Sequence, residues 1–436
     1  MKTINIKEIL LLKNFLLLWS GQSLSQLGSS MTSFALIIWA YQKQGTVMSV
    51  ALLSVFSYLP CILVSIFAGV FIDRVHKKKI MLICDTIAAV CSLCAFCLMY
   101  SGMLNVWHLY IINAVSGLMN AFQSPTSKVV ITLIVPKEHY TRVSGLRSLS
   151  DSVISVFSPI LATTLISLLG INAIFALDFV TFIIAFLTLI LLVKIPYSDN
   201  IESNKLSETN IISESIQGFS YLKENKGFLY LMFFMAGINF IASVSFFSVL
   251  PAMILARTSN NEKILALVSG AIGVGGIAGG LLVSILKPAK SKVKTIFISA
   301  ALSFLMCDIL LGVGRTPLIW IFAAFAGNLP IPFLNAAENY LLLSKIPSNI
   351  QGRIFSIRGT IQFISLPAGY LVGGFLADMV FEPLMTYSES AKSLLGWIVG
   401  VGSGSGMALM FIITGILGFF FSIVSYSNKY IRMLDY

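Results

Sequence analysis

The chain has 436 residues, of which 57% are hydrophobic and only 11% are charged, and its mean hydropathy is +0.91. This composition excludes a soluble globular enzyme, since apolar stretches of the roughly 20 residues that cross a bilayer recur from Asn14 to the C-terminus. The net charge of +11 does not indicate a nucleic-acid partner, because the basic residues fall in alternate loops between the apolar stretches.

Six membrane helices are predicted in the first part of the chain. They cover residues 14–41, 47–72, 79–101, 106–135, 142–169 and 171–193. A polar linker follows, in which Ile212, Ile216, Phe219 and Leu222 recur at helical spacing and predict a surface helix. Six more membrane helices are predicted over residues 227–255, 265–286, 293–313, 318–345, 352–380 and 394–425.

The two sets of helices are related by an internal repeat. A shift of 211 residues carries Gly69, Phe122, Pro136, Arg142 and Arg147 onto Gly280, Phe333, Pro347, Arg353 and Arg358. Because these matches keep their order at corresponding helix ends, they indicate a duplicated six-helix unit. We therefore predict an all-α polytopic membrane protein of twelve transmembrane helices in two pseudo-symmetric halves, residues 1–193 and 227–436, joined by a cytoplasmic linker, residues 194–226.

Basic residues predict the orientation in the membrane. If the N-terminus is inside, 23 of the 29 lysines and arginines fall in inside segments and only five in outside loops. Because cytoplasmic loops are enriched in basic residues, this asymmetry places both termini in the cytoplasm of a multi-pass protein of the cell membrane.

Two stretches carry a family resemblance. The first helix contains Asn14, Phe15, Leu18, Trp19, Gly21, Gln22, Ser25 and Gly28. The second helix ends in Gly69, Asp73, Arg74, Lys77 and Lys78. With these motifs, the sequence resembles the major facilitator superfamily, and within it the macrolide-efflux branch of multidrug exporters.

The motif at the end of helix 2 has a mechanical interpretation. Gly69 permits close helix approach, Asp73 can lie near the N-terminus of a neighbouring helix, and the bases can hold the cytoplasmic face together. We interpret the motif as a gate latch. The alternative is that Arg74 and the lysines only set the topology.

Polar residues on four helices are the candidates for substrate binding and coupling, because the resemblance implies that helices 1, 4, 7 and 10 surround a substrate cavity. The candidates are Gln22, Gln26, Asn120, Gln123, Lys128, Asn239, Asn335, Glu338 and Asn339. Glu338 is the best coupling candidate, since it combines a charge, a cavity helix and a predicted ion pair with Lys128. The alternative is that the amides only tie helices together.

Five more carboxylates lie within the predicted helices. Asp85, Asp151 and Asp378 are predicted to lie near the cytoplasmic side, where water or arginines compensate them, and to have structural roles. Asp178 and Asp308 lie deeper, and their roles stay open. Each of the five needs an explanation, because an ionisable group at mid-bilayer costs about 2.5 to 3.5 kcal/mol on insertion scales.

Other motifs predict packing rather than chemistry. Glycines at 275, 276, 279 and 280, and at 396, 400 and 404, predict close backbone approach in helices 8 and 12. Cys91, Cys94 and Cys97 lie in an apolar helix without a nearby histidine, so we expect no metal site. Since the sequence also lacks a phosphate-binding loop, we expect no cofactor and no direct use of ATP.

These observations predict a secondary active transporter, not an enzyme. It would export a hydrophobic or amphipathic small molecule, such as a drug or a siderophore-like metabolite, by proton antiport with alternating access. The expected partners are the small-molecule substrate, protons and the lipid bilayer, and the expected oligomeric state is a monomer. Ser116 lies near where many proton-coupled exporters of the superfamily carry an arginine, which leaves the proton coupling open. A proton-coupled uptake symporter remains open, because Ser158 and Pro159 in helix 5 stand in place of the Gly-Pro element typical of the superfamily's antiporters. So does a non-transporting or lipid-flipping protein of the same fold.

Overall fold

The computed structural model describes residues 12–136, 139–195, 219–287 and 289–435, and the regular secondary structure in these ranges is helical. Ten of these helices are long and apolar enough to cross a membrane. Two more long helices, Lys13–Gln44 and Val106–Ile134, carry more polar side chains and complete the predicted order of twelve. The predicted all-α polytopic fold is therefore confirmed.

The first six helices begin and end within a few residues of the predicted positions. They are α1 (Lys13–Gln44), α2 (Val47–Arg74), α3 (Lys77–Tyr100), α4 (Val106–Ile134), α5 (Tyr140–Leu169) and α6 (Ile171–Leu187, continued by a π-helical turn at Thr188–Leu192).

Several of the later helices consist of consecutive segments. They are α7 (Lys226–Val244, then Leu250–Arg257), α8 (Glu262–Ile285), α9 (Lys292–Phe304, then Leu305–Ile309 and Leu310–Val313), α10 (Pro317–Asn328, then Ile331–Lys345), α11 (Ser348–Leu376, then Ala377–Phe381 and Glu382–Tyr387) and α12 (Ser405–Tyr426). A connecting helix, Glu389–Val399, precedes α12, and a short helix, Lys429–Arg432, follows it.

The start of α12 differs from the prediction of one helix over residues 394–425. Gly400, Gly402 and Gly404 have φ angles of 84°, 104° and 83°, which interrupt the helix and favour glycine. The Glu382 carboxylate then accepts two backbone N–H groups around the start of α12, at 3.2 and 2.9 Å. The prediction that Gly400 and Gly404 are packing positions within helix 12 is wrong, because both lie in this loop.

The glycines of α8 behave as predicted at two of four positions. A Cβ atom on Gly275 would lie 2.3 Å from the Phe325 carbonyl oxygen, and one on Gly279 would lie 2.2 Å from that of Leu329. The backbones of α8 and α10 therefore pack closely, as small residues allow in membrane helices. A methyl group added at Gly276 or Gly280 would have nothing within 4 Å, so the packing prediction is wrong for these two positions.

The chain divides into two compact units. The first consists of Met1–Trp39 and Phe56–Ser207, and the second of Ala40–Val55 and Glu208–Tyr436. The core of the second unit is built from α7, α9, α10 and α11, with Leu231, Phe297, Leu341 and Ile354 all buried within it. The first unit has smaller apolar clusters, one of them around Leu18. The division into halves and a linker at residues 194–226 stays a prediction.

The predicted surface helix of the linker is described only at its end. Ile212 and Ile216 lie outside the described residues. Phe219 is exposed, whereas Leu222 is fully buried in the core of the second unit. The last turn of this segment therefore packs against the membrane helices that follow it.

Candidate functional site

The first unit contains a cavity of about 700 Å³ with a wall from all six of its helices. The aromatic part of the wall includes Phe15, Trp19, Phe179 and Phe182, and most of the remainder is hydroxyl, amide and charged side chains. The five candidates from the first half all line it: Gln22, Gln26, Asn120, Gln123 and Lys128. Polar residues on α1 and α4 thus face a common space.

Asp85 on α3 lies in this wall and is held by two amides. Gln123 Nε2 donates to its Oδ1 at 2.8 Å, and Gln22 Nε2 donates to its Oδ2 at 3.0 Å. Gln123 Nε2 also donates to Gln22 Oε1 at 3.3 Å, which closes a ring of three side chains. Among the described residues no basic side chain pairs with Asp85. Two amides rather than an arginine hold Asp85 in the described part of the chain, and its structural role stays a prediction.

Two buried polar atoms of residues that line the cavity lack hydrogen bonds. They are Gln123 Oε1 and Trp19 Nε1, neither of which finds a partner in the described part of the chain. Trp19 precedes Gln22 by three residues, so the two side chains lie on the same face of α1. The Phe15 ring stacks against the indole, with 6.4 Å between centroids and 22° between planes.

Asp178 on α6 also lines the cavity, yet it is only 3% exposed. Its carboxylate accepts three hydroxyl hydrogen bonds, from Ser29 at 3.0 Å, Thr32 at 3.1 Å and Ser92 at 2.9 Å. These bonds join α1, α3 and α6. Since hydroxyls already satisfy the carboxylate, its geometry is that of a structural tie.

Three further charged side chains line the wall of the cavity: Lys128 on α4, and Arg147 and Asp151 on α5. Lys128 and Asp151 are exposed, and Arg147 is partly buried. Lys128 follows Gln123 by five residues, which corresponds to roughly 7.5 Å along the axis of α4. The cavity therefore carries both signs of charge.

In the second unit, Glu338 on α10 is 1% exposed and forms an ion pair with Arg358 on α11. The distance from Arg358 Nη2 to Glu338 Oε2 is 2.6 Å, and Gln362 Nε2 donates to Oε1 at 2.7 Å. Arg358 Nη1 also donates to Asn339 Oδ1 at 3.0 Å. The basic partner of Glu338 is therefore Arg358 of its own unit, so the prediction of Lys128 as that partner is wrong.

The remaining amide candidates of the second unit have simpler surroundings. Asn239 Nδ2 donates to the Gln362 carbonyl oxygen at 3.2 Å, which ties α7 to α11. This is the helix-linking role that the sequence left open as an alternative. Asn335 is exposed on α10, one turn before Asn339.

Two other carboxylates of this unit lie in π-helical segments. Asp308 is 4% exposed and accepts hydrogen bonds from Ser245 at 2.9 Å and Thr414 at 3.3 Å, which join α9 to α7 and α12. The Asp308 carboxylate therefore holds these helices together.

Asp378 accepts the first two backbone N–H groups of α2, from Val47 at 2.9 Å and Met48 at 2.8 Å. The carboxylate therefore lies at the positive end of the α2 dipole. Asp378 follows Arg358 by 20 residues on α11, which is roughly 30 Å. The expectation that Asp378 lies at the same end of the helix as Arg358 is therefore wrong.

The motif at the end of α2 is described in part. The side chains of Asp73 and Arg74 lie outside the described residues, and for Gly69 only its place within α2 is described. Lys77 is buried, and Lys78 Nζ donates to the carbonyls of Ile190 and Val193 at 3.0 and 2.9 Å.

Lys78 thus satisfies free carbonyls at the negative end of α6, a favourable position for a cation. Next to it, partial burial and then the neighbouring lysines lower the pKa of His76 in the loop between α2 and α3.

The sequence missed Asp85 as a cavity residue, and Arg358 and Gln362 as the partners of Glu338. A sequence signal existed for two of them. In the internal repeat, the 211-residue shift carries Arg147 and Asp151 onto Arg358 and Gln362. For Asp85 the sequence contains no such signal, since its role depends on the rotation of α3 towards α1 and α4. The described residues contain no group of three or more side chains suited to a metal.

In the described part of the chain, ten helices apolar enough to cross a membrane and two further long helices, together with buried polar and charged clusters, define a polytopic membrane transporter. The profile of the Major Facilitator Superfamily matches residues 18–370, and the chain belongs to this family.

Among curated proteins, macrolide efflux protein A of Streptococcus pyogenes is 26% identical over 371 residues, covering 84% of this chain and 90% of that protein. The protein of the same name from Enterococcus faecalis is 27% identical over 322 residues, covering 73% and 97%.

A solved structure of a bacterial homologue of the iron transporter ferroportin, in an inward-facing state, is similar with a TM-score of 0.62. It is 16% identical, and the match covers 96% of this chain and 99% of that one. At this identity the likeness concerns the fold alone. The chain is thus a multi-pass transporter and not an enzyme, as the sequence predicted.

Proposed function

We propose that the protein exports hydrophobic or amphipathic organic molecules, such as a drug or a siderophore-like metabolite, by proton antiport with alternating access. The observation that carries this proposal is the cavity of about 700 Å³ in the first unit. Its volume falls within the range of roughly 300 to 1,000 Å³ of small-molecule sites, and its mixture of aromatic and amide side chains suits amphipathic compounds. The names of the macrolide efflux relatives support the direction.

We assign proton coupling to Glu338. A buried carboxylate with one basic partner is suited to this task, because protonation removes the charge that holds Arg358 and so links proton binding to the contact between α10 and α11. One proton crossing the membrane gains about 2.3 kcal/mol per 100 mV, and a factor of ten corresponds to about 1.4 kcal/mol. One titrating carboxylate therefore supports a substrate gradient of roughly 40- to 50-fold per 100 mV.

The proposed orientation has both termini in the cytoplasm, on the basis of the 23 basic residues in inside segments. We further propose that the protein acts as a monomer without a nucleic-acid partner.

The test uses everted membrane vesicles, which expose the cytoplasmic face, and a fluorescent amphipathic dye. An acidic interior should drive dye accumulation, and a protonophore should abolish it. Loss of preloaded dye under the same gradient would identify an uptake symporter instead. Translocation of a fluorescent lipid without any dye transport would identify a lipid flippase.

Glu338→Gln should abolish gradient-driven accumulation yet preserve downhill exchange of dye between compartments. The matched control is Glu389→Gln, because Glu389 is exposed on the connecting helix and pairs only with Lys392 among the described residues. Normal accumulation in Glu338→Gln would refute the coupling assignment. Weaker dye binding in that variant without any gradient would instead assign Glu338 to substrate recognition.

A further inference from the structure

The carboxylate of Asp85 differs from three buried carboxylates of the described helices. Asp178 is satisfied by three hydroxyls, Glu338 pairs with Arg358, and Asp308 is buried and accepts hydrogen bonds from two hydroxyls. Asp85 lies in the cavity wall, and its two oxygens receive one amide N–H each. A carboxylate oxygen can accept about two hydrogen bonds, so each oxygen retains capacity for another donor.

Beside Asp85, Gln123 has a further hydrogen-bond acceptor without a donor among the described residues. Gln123, which holds Oδ1 of Asp85, has a buried Oε1 atom without a hydrogen bond in the described part of the chain. A carboxylate and a free amide oxygen therefore occur together. Both are acceptors, and a protonated amine has donors and a positive charge to offer them.

The neighbouring aromatic side chain also favours a cation. Trp19 lies one helical turn before Gln22, whose amide holds the other oxygen of Asp85, and the Trp19 indole lines the same cavity. The face of an indole ring attracts cations more strongly than any other side-chain ring. Phe15 stacks against this indole and restricts its movement.

We propose that Asp85, Gln123 and Trp19 form the recognition site for the positively charged group of an amphipathic organic cation. The proposal rests on the proposed transport function and adds the charge of its substrates. Asp85 provides the countercharge and the indole provides a cation–π surface for any such cation. The Gln123 oxygen provides an acceptor for those cations that carry an N–H group, such as protonated amines. Gln22 positions the carboxylate.

The main alternative to this proposal is a site that prefers anions, because Lys128 and Arg147 line the same cavity. Tetraphenylphosphonium and tetraphenylborate distinguish the two cases, since they have nearly the same size and shape but opposite charge. Equilibrium binding of each ion to the purified full-length protein needs no gradient. A failure of export in vesicles therefore leaves this measurement intact, and the two proposals can fail separately.

The wild-type protein should bind tetraphenylphosphonium at least tenfold more tightly than tetraphenylborate. Asp85→Asn should weaken binding of the cation tenfold or more and leave that of the anion unchanged or stronger. Asp85→Glu, which keeps the charge, should restore most of the cation affinity. Asp308→Asn removes the same charge from a residue of the second unit that does not line the cavity, and it should leave both affinities unchanged.

Equal or tighter binding of tetraphenylborate by the wild-type protein would overturn the proposal in favour of an anion site at Lys128 and Arg147. Unchanged cation affinity in Asp85→Asn would also overturn it. If Asp85→Asn does not purify as a single species, the proposal is tested with Asp85→Glu, which keeps the charge, and with Trp19→Leu. Trp19→Leu should weaken cation binding severalfold, and full affinity in that variant contradicts the proposed site.

Discussion

Replacing Gly275 by alanine should destabilise the protein, whereas the same change one residue later should not. The new Cβ would lie 2.3 Å from the Phe325 carbonyl oxygen, and 3.1 and 3.2 Å from the carbonyl carbon and Cα of the same residue. Backbone atoms of α10 cannot rotate away, so α8 and α10 must separate. At Gly276 nothing lies within 4 Å of the added methyl group.

The expected magnitudes follow from these distances. Overpacking costs about 1 to 3 kcal/mol, whereas glycine to alanine at an open helical position gains about 0.4 to 1 kcal/mol. The two variants should therefore differ by roughly 1.4 to 4 kcal/mol in stability. With about 2 °C per kcal/mol for a large chain, their melting temperatures should differ by roughly 3 to 8 °C.

The measurement is thermal unfolding of both purified variants in the same detergent, followed by a thiol-reactive dye. Cys307 is a suitable reporter because it is buried beside α10 in the folded protein. Equal melting temperatures would refute the reasoning, because they would mean that α8 and α10 are not in backbone contact at Gly275. A loss of stability in Gly276→Ala would show that this face is also packed.

Three other predictions concern charge and topology. Asp378→Asn should lower stability by about 1 kcal/mol, since the N–H groups of Val47 and Met48 keep an acceptor but lose its charge; unchanged unfolding would argue against the cap. Asp73→Asn should impair transport at normal abundance if the motif is a latch, whereas equal transport at equal expression contradicts that role. Reporter fusions at both ends should give cytoplasmic signals, and an extracellular signal at either end would overturn the topology.

The helices and most of their ends could be predicted from the amino-acid sequence alone. Predicted helix 3, residues 79–101, is observed as Lys77–Tyr100, and predicted helix 9, residues 293–313, begins at Lys292 and ends at Val313. The reason is the bilayer, in which each spanning segment must satisfy its own backbone and present apolar side chains. Both requirements apply to each segment separately, so the spanning segments can be recognised from one amino-acid sequence.

The sequence also indicated which side chains face the interior of the first unit. Gln22 and Gln123 are polar residues on otherwise apolar helices, and such residues avoid lipid. It did not determine what they contact. Their shared partner, Asp85, lies on a third helix, and that contact depends on how α1, α3 and α4 are rotated about their axes.

The partners of the buried charges and the roles of some glycines depend on how the helices pack, so they could not be predicted from the sequence. Glu338 could pair with any base that reached it, and the packing of α10 on α11 makes that base Arg358. Gly275 and Gly404 both belong to series of closely spaced glycines in the sequence, yet their roles differ. Gly275 leaves room for the backbone of a neighbouring helix. Gly404 adopts a φ angle of 83° just before α12, and its N–H group donates to the Glu382 carboxylate. The ion pair and the roles of the two glycines depend on distances between helices, and such distances cannot be inferred from hydropathy along the chain.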